Sequence, residues 1–248
     1  MKPSQEWQSI HATIAEHLIP PCNLNLYFSA PFIDRFKPER FTFGSFHIST
    51  ESVFVKDPFC VSEEQTLPFL QSVPNGEYQV AICAVVTEFD CARYASAAVR
   101  FTDSDAVRYE EALTGAEDIH DFVPGQHFGF SVSTGFAGIF DEKTAKAAGE
   151  FFEKWKAEHP GMDLKSDYFN PLLKENASAH PHLQRERGDW LLWDIPDGGG
   201  CVPIFQSGFG NGVYPVYFGY DASDAVCCMV ILFIDIEDEL GRNEGLTL

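Results

Sequence analysis

Three segments bring together residue types that could do chemistry. Gly208-x-Gly210-x-Gly212 has the glycine spacing of a loop that cradles phosphate with its backbone N–H groups. A dinucleotide-binding loop needs a helix immediately afterwards, so that the helix N-terminus faces the pyrophosphate. Here Val213-Tyr214-Pro215-Val216-Tyr217 follows, with β-type residues and a proline. The spacing therefore predicts a tight turn between strands, built by Gly208, Gly210, Asn211 and Gly212, with Asn211-Gly212 supplying positive φ. Gly129-Phe130-Ser131-Val132-Ser133 approximates a nucleophile elbow, yet Ser133 stands where the closing glycine belongs and no helix follows directly. Its serines read as outward positions of a strand. His180-Pro181-His182, with Asp167 and Glu175 upstream, offers metal-binding groups. The i, i+2 spacing puts both rings on one side only in an extended segment, and neither a His-Glu-x-x-His spacing nor a nearby cysteine pair supports it. That segment reads as a solvated loop, as do His120 and His127 flanking Asp121. No metal and no cofactor are expected.

Charge is the strongest signal left. The 248 residues hold 17 Lys+Arg against 37 Asp+Glu, a formal charge of −20, while 45% are hydrophobic. That balance is globular, and it argues against general binding to nucleic acid or to anionic membranes, both of which need cationic surface. Between residues 102 and 121 lie Asp103, Asp105, Glu110, Glu111, Glu117, Asp118 and Asp121 against Arg108 alone; Asp235, Glu237, Asp238 and Glu239 form a second group. Such acidity either keeps a protein soluble or steers a cationic partner onto it. Tyr27, Phe28, Phe32, Phe36, Phe41, Phe43 and Phe46 fall in a proline-containing stretch of weak periodicity. They suit either a recognition surface or, the preferred expectation, an irregular cover over a sheet.

The elements that must position these groups are mostly strands. A short helix is expected over residues 5–17, ended by Pro20-Pro21. Loop follows to about Gly44. Strands are then expected over 52–55, 77–89, 92–101, 107–109 and 127–133, the second and third as neighbouring arms of a meander. Asp141 is a good N-cap for a helix over 142–158, with Ala145, Ala148, Phe152 and Trp155 as its apolar stripe. A second helix over 166–176 carries an internal Pro171. Strands return over 190–195, 201–206, 213–220 and 225–235; the last is apolar on both faces, as a central strand should be, and follows its neighbour by a hairpin. The expected fold class is α+β: a single domain over 1–248 of mostly antiparallel, sandwich-like sheet with a few inserted helices. It divides into a helical and aromatic-rich segment to 44, a core over 45–238 and a tail from 239.

Seven cysteines with no C-x-x-C spacing suggest buried free thiols and a cytoplasmic location, and no signal or spanning segment is apparent. Residues 208–221, running into a strongly apolar last strand, resemble the C-terminal signature of the bacterial family called domain of unknown function 4241. Asp57-Pro58-Phe59, residues 73–80 and residues 129–141 fit the same family in the same order. Asn211 stands where the family usually has aspartate, and Ser131 and Ser133 replace a commonly acidic position. The resemblance implies the fold and no settled activity. The leading expectation is a non-enzymatic module whose acidic face, Asp103 to Asp121, meets a basic protein, as an immunity protein would neutralise a toxin. One alternative is a hydrolase or metal-dependent enzyme assembled from Asp57, Asp103, His127, Asp141 or Asp221. Another is a small-ligand module with a cavity under the aromatic stretch.

Overall fold

In the computed structural model, residues 3–60, 67–86 and 91–241 are described. The end of the strand expected over 77–89 and most of the tail lie outside them. In chain order the elements are α1 (Gln5–Ile14), α2 (Asn25–Ser29), β1 (Glu39–Ile48), β2 (Val53–Lys56), β3 (Gly76–Val86), β4 (Ala92–Arg100), β5 (Arg108–Glu111), β6 (Phe130–Val132), β7 (Phe136–Asp141), α3 (Glu142–Glu158), α4 (Asn170–Ala179), β8 (Trp190–Ile195), β9 (Gly200–Gln206), β10 (Gly212–Tyr214), β11 (Val216–Tyr220) and β12 (Val226–Leu232). Every strand pairing is antiparallel. The fold is α+β, as its pattern predicts.

One sheet runs β1-β3-β4-β12-β11-β5, a second β2-β7-β9-β8, and β10 pairs with β6 alone. Alternation along the strands builds three layers. Leu191, Trp193 and Ile195 of β8 point into a core shared with α3 and α4, whereas Trp190 and Leu192 face the six-stranded sheet. β7 is buried at all six positions because it is covered on both faces. The helical layer is aromatic: the rings of Phe152 and Trp193 stack at 5.5 Å, and Phe169 meets Trp193 edge-on at 4.9 Å. β12 lies between β4 and β11, and its hairpin with β11 is present.

Three expectations change. The aromatic stretch is not all loop, since β1 begins at Glu39 and takes Phe41, Phe43 and Phe46 into the sheet. A bulge shifts register between Phe43 and Phe46, where Gly44 has φ +67°. The extra residue breaks the period of two that marks a strand in sequence. The strand expected over 213–220 is two strands in different sheets, parted at Pro215, which has no N–H to continue a ladder. The helix expected over 166–176 begins as a π-helical turn at Leu164–Phe169, and Pro171 then sits in the first turn of α4, where no N–H is missed. α3 matches its expected bounds. The Asp141 carboxylate accepts from Thr144 N at 2.7 Å and, on its other oxygen, from Ser49 N at 2.8 Å. Burial pushes Asp141 up, but these hydrogen bonds outweigh it and hold the group below the usual carboxylate range.

Candidate functional site

The seven acids of residues 102–121 do not form one surface. Asp103, Asp105, Asp118 and Asp121 are exposed. Asp105 pairs with Arg100 at 3.3 Å, and half-buried Glu110 pairs with Arg108 at 3.3 Å. Glu117 turns inward to accept from Thr114 N, Thr114 Oγ1 and Gly115 N at 2.7–2.8 Å. Glu111 is only 2% exposed and accepts from Phe128 N at 2.7 Å and Gly129 N at 3.1 Å. It ties the segment before β6 to β5, so it belongs to the framework and not to an acidic face. Burial pushes its carboxyl up to about 7 despite those two donors.

Of the dispersed carboxylates proposed for catalysis, two are clearly apart. Asp57 and Asp141 sit at opposite ends of the β2–β7 ladder, where Val53 faces Asp141 and Lys56 faces Gly138. Asp103 is exposed, Asp221 closes the β11–β12 turn through Ser223 and Ala225, and His127 meets the Val213 carbonyl at 3.2 Å. Among the described residues no group of three His, Cys, Asp or Glu could hold a metal ion. Ser131 points outward from β6, as a strand position should. His180 and His182 are exposed.

The Gly208 segment is a turn followed by a strand, as its spacing predicts, but its geometry is shifted. Positive φ falls on Gly208 (+52°) and Gly210 (+109°), not on Asn211 and Gly212. The reason is that Gly210 N donates to Ser207 O at 2.7 Å, which closes the turn over 207–210. Asn211 and Gly212 then lead straight into β10. At Gly208 a Cβ would lie 2.9 Å from Phe233 Cβ, so the turn packs tightly onto the chain after β12.

Beside this turn lies a feature that no single stretch of sequence contains. Arg93, Lys165, Lys174, Arg185 and Arg187 line one pocket of about 410 Å³, with Thr134, Gly135, Phe136, Gly208, Phe209 and Gly210 among its walls and no carboxylate residue among the described residues of its lining. Of the five cations, Arg185 is paired, its guanidinium lying against Asp189, which is fully buried. The other four make no ion pair among the described residues. Lys165 is the most fixed. Its ammonium donates to Thr134 O at 2.6 Å and sits 5.8 Å and 5.6 Å from the rings of Phe59 and Phe136. Burial lowers its pKa.

Thr134 is in turn held by Asp57. That carboxylate, 4% exposed, accepts from Phe59 N at 3.0 Å, Ser133 N at 2.9 Å, Thr134 N at 2.7 Å and Thr134 Oγ1 at 2.7 Å. One buried anion thus sews the turn after β2 to the turn before β7 and sets the carbonyl that anchors Lys165. This pocket was missed in the sequence: the Arg185-x-Arg187 pair is the one local hint of it, and Arg93, Lys165 and Lys174 join that pair only through tertiary structure.

The family described as protein of unknown function (DUF4241) matches residues 46–231. The chain belongs to this family. No curated protein matches it, and no solved structure does. Every lining residue of the cationic pocket falls inside the DUF4241 match. A second cavity, about 660 Å³, lies under α2 against the six-stranded sheet, with Ala81, Ala98, Cys228 and Val230 as an apolar floor. Its outer wall, Asn25 to Thr42, precedes the DUF4241 match. Its two arginines are spent internally: Arg40 donates to the carbonyls of Leu26, Tyr27 and Ala30, and Arg100 to those of Asp103 and Ser104 and to Asp105. The seven cysteines are free; Cys83, Cys227 and Cys228 are buried and Cys60 is exposed. No helix of the described residues is long and apolar enough to cross a membrane.

Proposed function

We propose that the protein is a small-ligand-binding module whose cationic pocket seats a multiply charged anion. One observation carries this reading: a chain with 37 acids and 17 cations gathers five of those cations around one pocket, with no carboxylate among the described residues of its lining. Like charges held together repel, and among the described residues four of these five make no ion pair, Lys165 feeling only the more distant carboxylates of Asp57 and Asp163, so the arrangement is stabilised when an anion enters. Guanidinium and ammonium groups suit phosphate or carboxylate oxygens through charge-assisted hydrogen bonds. The surrounding excess of negative charge slows entry of a polyanionic macromolecule, which favours a small anion.

Calorimetric titration with pyrophosphate at fixed ionic strength tests the reading. Saturable one-site binding that weakens with added salt is expected. Lys174 and Arg187 are exposed, so Lys174→Glu and Arg187→Glu leave the fold intact and are each expected to weaken binding roughly tenfold or more. Absence of saturable binding at millimolar pyrophosphate, or charge reversals without effect, would end it.

A second reading keeps the acidic surface as a docking face for a basic protein, in the manner of an immunity protein. It is favoured by the exposure of Asp103, Asp105, Asp118 and Asp121, and it is weakened by the inward turn of Glu111 and Glu117. It requires a basic partner from the host whose association slows with salt and with Asp118→Lys and Asp121→Lys. Association indifferent to salt, or the lack of any such partner, removes it.

A further inference from the structure

The cationic pocket has one wall that anion binding leaves unused. Phe209 is 50% exposed at the tip of the 207–210 turn and lines the pocket. Folding gains little from a phenyl ring left half in water, yet the turn that carries it is firmly braced. Ser207 Oγ donates to Gly210 O at 2.8 Å, and the Tyr214 hydroxyl lies 3.0 Å from Ser207 O and 2.8 Å from Gly210 O. Tyr214 itself is buried against Phe233, their rings 5.1 Å apart and edge-on. The ring of Phe209 is therefore presented from a fixed support beside a cluster of cations. Such a surface fits a molecule with a flat π face at one end and negative charge at the other.

Resting on the anion-binding reading, we propose that the ligand is a purine nucleoside diphosphate, with its base stacked on Phe209 and its diphosphate among Arg93, Lys165, Lys174 and Arg187. The pocket volume of about 410 Å³ falls within the ordinary range for small-molecule sites. Stacking reads a π face and not a base edge. Gln206, the buried amide in the lining, already gives its side-chain N–H to Ala92 O at 3.2 Å. Adenine and guanine are accordingly expected to bind alike.

Titration of the full chain with pyrophosphate, ADP, GDP and adenosine separates the possibilities. ADP and GDP are expected to bind about tenfold or more tighter than pyrophosphate, and adenosine far more weakly than ADP. Phe209→Ala is expected to bring ADP down to the affinity of pyrophosphate while leaving pyrophosphate unchanged, and Phe209→Trp to keep the advantage. If pyrophosphate binds but ADP gains nothing, or Phe209→Ala weakens both equally, the nucleotide inference is overturned and the anion reading stands. If pyrophosphate does not bind, whatever ADP does, or adenosine binds as well as ADP, the anion reading itself fails and the nucleotide inference with it.

Discussion

Asp57→Ala is expected to lower unfolding free energy by about 3–5 kcal/mol, because it strands several buried hydrogen-bond donors at once. The Asp57 carboxylate satisfies three backbone N–H groups and one hydroxyl, of Phe59, Ser133 and Thr134. Alanine leaves all four donors facing a site that is 4% exposed. Each stranded donor costs roughly 1–3 kcal/mol, and partial relaxation or entry of water recovers some of the sum. Asp57→Asn keeps the shape and one accepting oxygen, so it should fall between wild type and alanine. Urea unfolding of the three proteins measures the order, and a shift under about 1 kcal/mol for alanine would contradict it. The asparagine variant also links fold to site. Thr134 O holds the Lys165 ammonium at 2.6 Å, so loosening Thr134 should weaken pyrophosphate binding under conditions where the protein is still folded.

The contrast between what the chain announces and what it hides is physical. α3 is legible because its cap, its stripe and its terminator are local: Asp141, then Ala148, Phe152 and Trp155 at helical spacing, then His159. β12 is legible because a strand covered on both faces is a continuous apolar run. β7 is equally buried but was hidden, since its six residues lie between the short Ser133-Thr134-Gly135 turn and a helix start and show no alternation. β1 was hidden by its own bulge at Gly44, and the 213–220 segment by a proline whose consequence, a change of sheet, depends on partners far along the chain. The acidic stretch misled for a related reason. Counting charge treats Glu111 and Glu117 as surface groups, whereas each folds back onto backbone N–H donors that sequence does not display. The cationic pocket is the extreme case, with members at positions 93 and 187 that only sheet pairing and the helical layer bring to one place.

Glu111 should make the protein lose stability as pH rises through the weakly acidic range, opposite to the effect of most carboxylates. Its folded pKa is raised from 4.5 to about 7 because burial penalises the charged form more than the Phe128 and Gly129 N–H groups favour it. Below the unfolded value the residue is protonated in both states, and its stabilising contribution is fully present. Above that value the unfolded chain releases the proton while the folded chain retains it, so unfolding gains with each step in pH until the folded pKa is passed. The loss should accumulate between about pH 4.5 and 7 and reach on the order of 3 kcal/mol. Asp141 acts with the other sign. Its folded pKa is depressed, so its contribution is present above the unfolded value and disappears as pH falls through the folded one, below the window Glu111 occupies. The two are separable by comparing unfolding free energy against pH for wild type and Glu111→Gln, because glutamine keeps an oxygen for both N–H donors and carries no proton to release. A difference between the two proteins that stays flat from pH 4.5 to 8 would show that the N–H donors, and not burial, set the charge state of Glu111.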